Sequence, residues 1–553
     1  MTKPQASFSE LQQSKKLINK HQYTAAEAKL LRVLEDSDNN LKTLALEELY
    51  KLTLRLGRKD KALDHLFSLA SIKKNDTSYW AEAYKLAQSQ GYNDKAIQAL
   101  NYYIQQTPEC SPNIVYNLAY HLKIENRLSE SLSFYKKALS KGISNPEEVY
   151  TNIGVIYSEL RQEDKAKDSY QLALNKNREY TPALLNLAAL FEEQGDKQKA
   201  TKIYHEALKV DPKCSLALAR LSYMYHADSI QDPRINNIRK ALDSGRLSNL
   251  NMEELNFALG KLLDDCHQYD AAFKTYCEAN ALGAQRIPPY DPKLQEWQTN
   301  TLKDVFFKDN SIPEGSGNSS ITPIFICGMF RSGSTLLEQI LSGHSQVSPG
   351  GEIKFIPEQV KKMGSLYPPI LKTKKQDFFN SLSKLYIKEL KRPVPIEKYI
   401  TDKRPDNFLH IGLIKKIFPK AKIVWTTRNF LDNCLSIFFQ QMGPDFNYSV
   451  NLEHIAHYYS EHIDLMDHWK NLFPNDIYEI NYENLVTNSE ITTRELLRFL
   501  ELPWESSCLD FSQRKNYVKT ASIWQVRNPL YSTSMGRNNY YSKHLKILNK
   551  YKS

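Results

Sequence analysis

Residues 321–335 read ITPIFICGMFRSGST, and this stretch decides the fold of the second half of the chain. Pro323–Cys327 is a short apolar, β-branched run of the kind that forms a strand buried on both faces. Gly328 to Thr335 then spell G-x-x-x-x-G-S-T, and 336–342 (LLEQILS) continue with helical periodicity. Strand, glycine loop and helix in that order make an anion cradle. Backbone N–H groups of the loop and of the helix N-terminus converge on a phosphate.

The loop departs from the nucleoside triphosphate pattern, which carries Lys before the final Ser/Thr. Ser334 stands in that place, and Arg331 lies three residues earlier. A strand ending in Asp, the usual magnesium holder, is also missing. The comparable strand, Ile423–Thr427, runs into Arg428 instead. The loop is therefore expected to take a phosphate-bearing ligand with no metal. Residues 421–439 (AKIVWTTRNFLDNCLSIFF) repeat the strand–turn–helix order, with Arg428 at the strand end and Ser436 eight residues later. A fixed guanidinium pairs with a phosphate through two parallel hydrogen bonds, and a serine hydroxyl adds a donor without charge.

At GMFRSGSTLLEQILSGHSQVSPGGE the chain resembles the donor loop of the sulfotransferase superfamily. It is most similar to the branch of protein-tyrosine and bacterial repeat-fused sulfotransferases. The resemblance covers roughly residues 321–545 and implies 3′-phosphoadenosine 5′-phosphosulfate as co-substrate. Carried over by position, it places Arg331, Ser332, Gly333, Ser334 and Thr335 on the 5′-phosphosulfate, and Arg428 and Ser436 on the 3′-phosphate. The block 481–504 (NYENLVTNSEITTRELLRFLELPW) resembles the family's Tyr-Glu-x-Leu-Val turn and sets Tyr482 near the adenine. The segment 520–537 (TASIWQVRNPLYSTSMGR) resembles the closing segment and sets Ser522 and Arg537 on the donor, with Arg537 standing where the family has Lys.

Sulfuryl transfer needs a base for the acceptor proton and positive charge near the leaving oxygen. Glu352, 21 residues after Arg331 in GGEIKF, falls at the offset of the branch's catalytic carboxylate and is the expected general base. Lys354 replaces an Arg of that branch, keeping the charge and losing the planar fork. Lys403, in YITDKRPDN, is assigned to the sulfuryl group and leaving oxygen. His344 follows the first helix and reads as a packing or capping residue.

The first half has its own period. Tyr150, Ile153, Gly154, Tyr157, Ala166, Tyr170 and Ala173 align at a spacing of 34 with Leu184, Leu187, Ala188, Phe191, Ala200, Tyr204 and Ala207. The pattern resembles tetratricopeptide repeats, with about eight units. Small residues let paired helices approach, and aromatics fill the space between pairs. The expected architecture is an N-terminal tetratricopeptide-repeat α-solenoid over 8–286 and a Pro/Ser/Gly-rich linker over 287–320. A P-loop-like three-layer α/β sulfotransferase domain with a mostly parallel sheet follows over 321–553.

The net charge of +10 over 553 residues is spread along the chain; it suits an anionic ligand and does not call for nucleic acid. Seven scattered cysteines without CxxC pairs fit reduced thiols. No run reaches the length of a membrane span, and the N-terminus lacks an apolar leader, so the chain reads as cytoplasmic. The expected partner is an acceptor protein, peptide or glycan, selected by the repeat groove; self-association also fits such a scaffold. Two other readings stay open: a repeat-based binding protein with an inactive nucleotide-binding domain, and a small-molecule or glycan sulfotransferase.

Overall fold

The computed structural model describes the chain except residues 1–2, 36–37, 309–310, 318–320, 391–397, 512–523, 525–526, 528–534 and 552–553. It forms two compact units, Met1–Ala183 and Leu184–Ser553.

The first unit is a succession of helical hairpins, from Lys3–Asn19 to Glu163–Lys176. The repeat period has a direct packing cause. A Cβ on Gly154 would lie 2.4 Å from the Tyr170 ring, so only glycine lets those paired helices close on that aromatic. Tyrosines also rivet one hairpin to the next: Tyr79 donates to Glu47 at 2.8 Å and Tyr116 to Glu148 at 2.5 Å, in each case across 32 residues.

The second unit opens with further helices of the same kind, ending in the pair Asn249–Asp265 and Tyr269–Arg286. Gly260 repeats the device of Gly154, since a Cβ there would lie 2.8 Å from the Tyr276 ring. Within the stretch that reads as a linker, Pro292–Val305 is a helix. Asp291 caps it by accepting from the Lys293 and Leu294 amides, and Pro292 occupies its first turn. Its buried Leu302 and Val305, with Phe306, join the core of the α/β part.

That part is a parallel sheet. Among the described residues its strands are β1 (Thr322–Gly328), β2 (Val347–Ser348), β3 (Tyr399–Lys403), β4 (Lys422–Thr427) and β5 (Ile477–Asn481), in the order β2-β3-β1-β4-β5. Alternation along β1 and β4 sends Ile324, Ile326 and Val424 to one face, against Leu336, Leu337, Ile340 and Leu496. Phe325, Cys327, Ile423 and Trp425 go to the other, against Ile411, Ile414, Leu465 and Trp469. Both faces are covered, which gives the three layers.

The last repeat pair shares this core. Tyr276 stacks on Phe439 with centroids 3.8 Å apart, and Asn280 donates to the Phe438 carbonyl at 2.8 Å. Composition marks a boundary near residue 286, yet one hydrophobic cluster joins Leu218 and Leu259 of the repeats to Phe325, Trp469 and Leu548.

Replacing Gly260 with Val should push Tyr276 off Phe439 and cost about 1–3 kcal/mol, the usual penalty of overpacking. Thermal unfolding of the full chain would register this as a lower midpoint; an unchanged midpoint would show that the ring has room to move.

Candidate functional site

Parallel pairing fixes where the chemistry gathers. Gly328 at the end of β1 lies opposite Thr426 of β4, and Ile326 opposite Lys403 of β3. The carboxyl ends of three strands therefore deliver the glycine loop, Lys403 and Arg428 to one edge of the sheet, where ligands of open α/β sheets bind.

The loop is tightly specified. Gly328 has φ 150° and a Cβ there would meet the Thr426 carbonyl at 2.4 Å; Gly333 has φ 101° and a Cβ would meet Tyr482 at 2.6 Å. Between them Arg331 sits at φ 67°, a left-handed conformation that a non-glycine residue adopts only under constraint. The constraint comes from side chains that hold the loop carbonyls. The Ser332 hydroxyl donates to Met329 O at 2.6 Å, Asn433 Nδ2 to Phe330 O at 2.9 Å, and Arg428 Nη1 to Arg331 O at 3.0 Å. Left-handed Arg331 and Gly333 on either side of Ser332 give the alternating handedness of an anion nest.

Arg331 and Arg428 are thus neighbours. Arg331 Nε donates to Ser436 Oγ at 3.1 Å, and the Arg428 guanidinium lies 4.9 Å from the centre of the Tyr482 ring. The structure brings together Arg331, Gly333, Arg428, Ser436 and Tyr482. Ser334 and Thr335 are buried in the first turn of the helix Ser334–Leu341. Ser332 is also buried, and its hydroxyl faces Thr426 Oγ1 at 2.6 Å, so its side chain shapes the loop from behind.

Glu352 and Lys403 form the second pair. Their Oε1 and Nζ are 2.5 Å apart; the lysine side chain is 1% exposed and the carboxylate side chain 42%. A buried ammonium presented to an accessible carboxylate is a polar pair open to solvent on one side only. Next to it Arg404 makes a two-pronged ion pair with Asp406, at 3.0 and 2.8 Å. Beneath, Asp402 is fully buried and accepts from Tyr386 at 2.8 Å and Asn407 at 3.2 Å; burial pushes its carboxyl up to about 7.

One expected residue is engaged elsewhere, and one is not described. Arg537 is paired with Asp264 of the last repeat, 273 residues away, and lies 5.2 Å from the Phe439 ring centre. Ser522 lies outside the described residues. His344 follows the helix Ser334–Leu341, bonded to the Pro503 carbonyl at 3.0 Å and to the Gln346 amide at 3.1 Å. Asn433 and Thr426 were not singled out from the sequence. Asn433 stands three residues before Ser436 on the same helix face, a spacing that could have drawn notice.

The residues present suit a doubly anionic nucleotide. The glycine loop leaves no room for a side chain at Gly328 or Gly333, and the donor set is two guanidinium groups with a hydroxyl. Among the described residues no cluster of His, Cys, Asp or Glu could hold a metal, and no helix is long and apolar enough to cross a membrane.

Comparison with known proteins agrees with this domain order. Residues 323–506 match the family model described as Sulfotransferase family, and residues 147–179 and 182–213 match models described as Tetratricopeptide repeat. A protein of Aquifex aeolicus (strain VF5), carrying only the name "Uncharacterized protein", is 31% identical over 404 residues, which are 70% of this chain and 52% of that protein. Protein-tyrosine sulfotransferase 1 of Danio rerio is 25% identical over 210 residues, 35% of this chain and 56% of that protein. The chain thus spans about half the length of these two curated relatives. Among solved structures, the sulfotransferase domain of the Synechococcus PCC 7002 olefin synthase aligns over 42% of this chain and 91% of its own, with 16% identity and a TM-score of 0.31.

The Asp402 proton gives a pH-dependent stability. The folded protein keeps it between the ordinary value of 3.8 and about 7, where the unfolded chain has released it. The contribution is therefore full below 3.8 and drains away as pH rises through 7. Asp402→Asn should remove this slope, so the thermal midpoint of the native chain relative to the variant should fall from acid to neutral pH. Parallel profiles would place the proton elsewhere.

Proposed function

We propose that this chain, in which residues 323–506 form a sulfotransferase-family domain behind tetratricopeptide repeats, moves a sulfuryl group from 3′-phosphoadenosine 5′-phosphosulfate to an acceptor hydroxyl. The observation that carries the reading is the junction of Arg428 with the Arg331 carbonyl, at 3.0 Å, which draws two guanidinium-bearing loops to one place. The loop Arg331–Thr335 would hold the 5′-phosphosulfate, Arg428 and Ser436 the 3′-phosphate, and Tyr482 would border the adenine. When bound, the donor supplies the activated sulfuryl group.

The rest is the work of the chain's own side chains. Glu352, exposed at the rim, takes the acceptor proton as general base. Lys403, buried and within 2.5 Å of Glu352, sets positive charge on the leaving side. The repeats suit a protein or peptide acceptor, because stacked helical hairpins present an extended surface to such partners. A tyrosine hydroxyl is the acceptor we favour, since tyrosine is the acceptor named for relatives that share the domain.

Glu352→Gln should lower transfer of labelled sulfuryl from the donor by about a hundredfold or more, on whichever of a panel of tyrosine peptides, glycans and phenols accepts it. Affinity for adenosine 3′,5′-bisphosphate should stay within about threefold, because the residue lies outside the anion loops. Undiminished transfer in this variant would remove Glu352 from the chemistry. A thermal shift with ATP and magnesium, and none with the bisphosphate, would indicate a kinase instead.

A further inference from the structure

The helix Ser334–Leu341, which leaves the anion loop, carries one acidic residue among Leu336, Leu337, Ile340 and Leu341. That residue, Glu338, is 4% exposed. A carboxylate is costly in such a place unless hydrogen bonds satisfy it. Glu338 Oε1 accepts two, from the Gly351 amide at 2.8 Å and from the Thr401 hydroxyl at 2.7 Å. Thr401 Oγ1 in turn accepts from the Gly350 amide at 2.9 Å, and the Lys403 amide donates to the Gly351 carbonyl at 2.9 Å. Gly350 crosses β3 so closely that a Cβ would lie 1.6 Å from the Thr401 carbonyl.

The Gly350–Gly351 turn is thereby fastened at three points, and the next residue is Glu352. Two of the fastenings, Thr401 and Lys403, belong to β3, whereas Glu338 belongs to the helix that begins at the anion loop. We infer that Glu338 is a positioning residue: it locks the Gly350–Gly351 turn to the anion-loop helix and so fixes Glu352 relative to the bound donor. The inference rests on the proposed role of Glu352, but its structural half stands apart from that role. A base that drifts by about an ångström can lose as much as a hundredfold in rate without any loss of donor binding.

The test uses the full chain and two readouts. Hydrogen–deuterium exchange of the segment 347–354 should quicken by about tenfold or more in Glu338→Ala and remain native in Glu338→Gln, whose amide oxygen can accept the same two bonds. In Glu338→Ala, kcat should fall by about ten- to a hundredfold on an acceptor found in the panel, while affinity for adenosine 3′,5′-bisphosphate stays within about threefold. If Glu338→Ala does not fold, Thr401→Val replaces it; that variant keeps the volume, removes the shared hydroxyl, and should also quicken exchange at 347–354. Native exchange in the variant that folds overturns the inference, as does a loss of bisphosphate affinity equal to the loss of turnover. Full activity of Glu352→Gln would instead refute the role of Glu352 and leave the exchange result to be read alone.

Discussion

One hydrogen bond organises the second half of this chain, the bond from the Arg428 guanidinium to the Arg331 carbonyl. It spans 97 residues of sequence, yet β1 and β4 are adjacent strands in parallel register, so the two loops start side by side. The bond holds Arg331 in a left-handed conformation and brings a second positive side chain to a loop that already has one. Concentrating like charge on a strained loop opposes folding. Such an arrangement persists when the surrounding structure over-determines it, and here Asn433, Ser332 and Thr426 do so from beneath. A bound anion would relieve the crowding.

The second constraint comes from the repeats. The helix Phe430–Phe438, which carries Asn433 and Ser436, is backed by the last repeat pair through the Tyr276–Phe439 stack and the Asn280 bond to Phe438. Asp432 on the same helix accepts from the Gly536 and Asn538 amides at 2.6 and 2.7 Å, and Arg537 between them reaches Asp264 of the repeat. One face of this helix therefore meets the anion loop while its end is braced by a repeat. In the second unit the repeat fold and the α/β fold share one core, so a change in the last repeat pair bears directly on the wall of the anion site.

Much of this was legible in the sequence because the signals were local. An apolar run, two glycines and an amphipathic helix specify strand, loop and cradle within 321–342, and the 34-residue period specifies paired helices whose close contact Gly154 and Tyr170 display. The place of Arg428 and Ser436 on one strand–turn–helix unit was legible for the same reason. Long-range pairing was not. Arg537 resembles a donor ligand by position, but its partner Asp264 is set by tertiary packing that no local pattern encodes. The helix Pro292–Val305 hid in a polar, proline-rich stretch although its cap, Asp291 followed by Pro292, was in plain view. Glu338 showed itself only as an acidic letter in an apolar helix; its meaning needed the Gly351 amide and the Thr401 hydroxyl, which the fold brings from other elements.

If two distant loops grip both ends of one nucleotide, both of its phosphates contribute to affinity. Calorimetric titration of the full chain with adenosine 3′,5′-bisphosphate and, separately, with adenosine 5′-monophosphate tests it most directly. If Arg428 and Ser436 hold a 3′-phosphate, the bisphosphate should bind at least about tenfold more tightly, a difference of about 1.4 kcal/mol. Equal affinities, or no binding of either nucleotide, would show that Arg428 and Ser436 do not hold a 3′-phosphate.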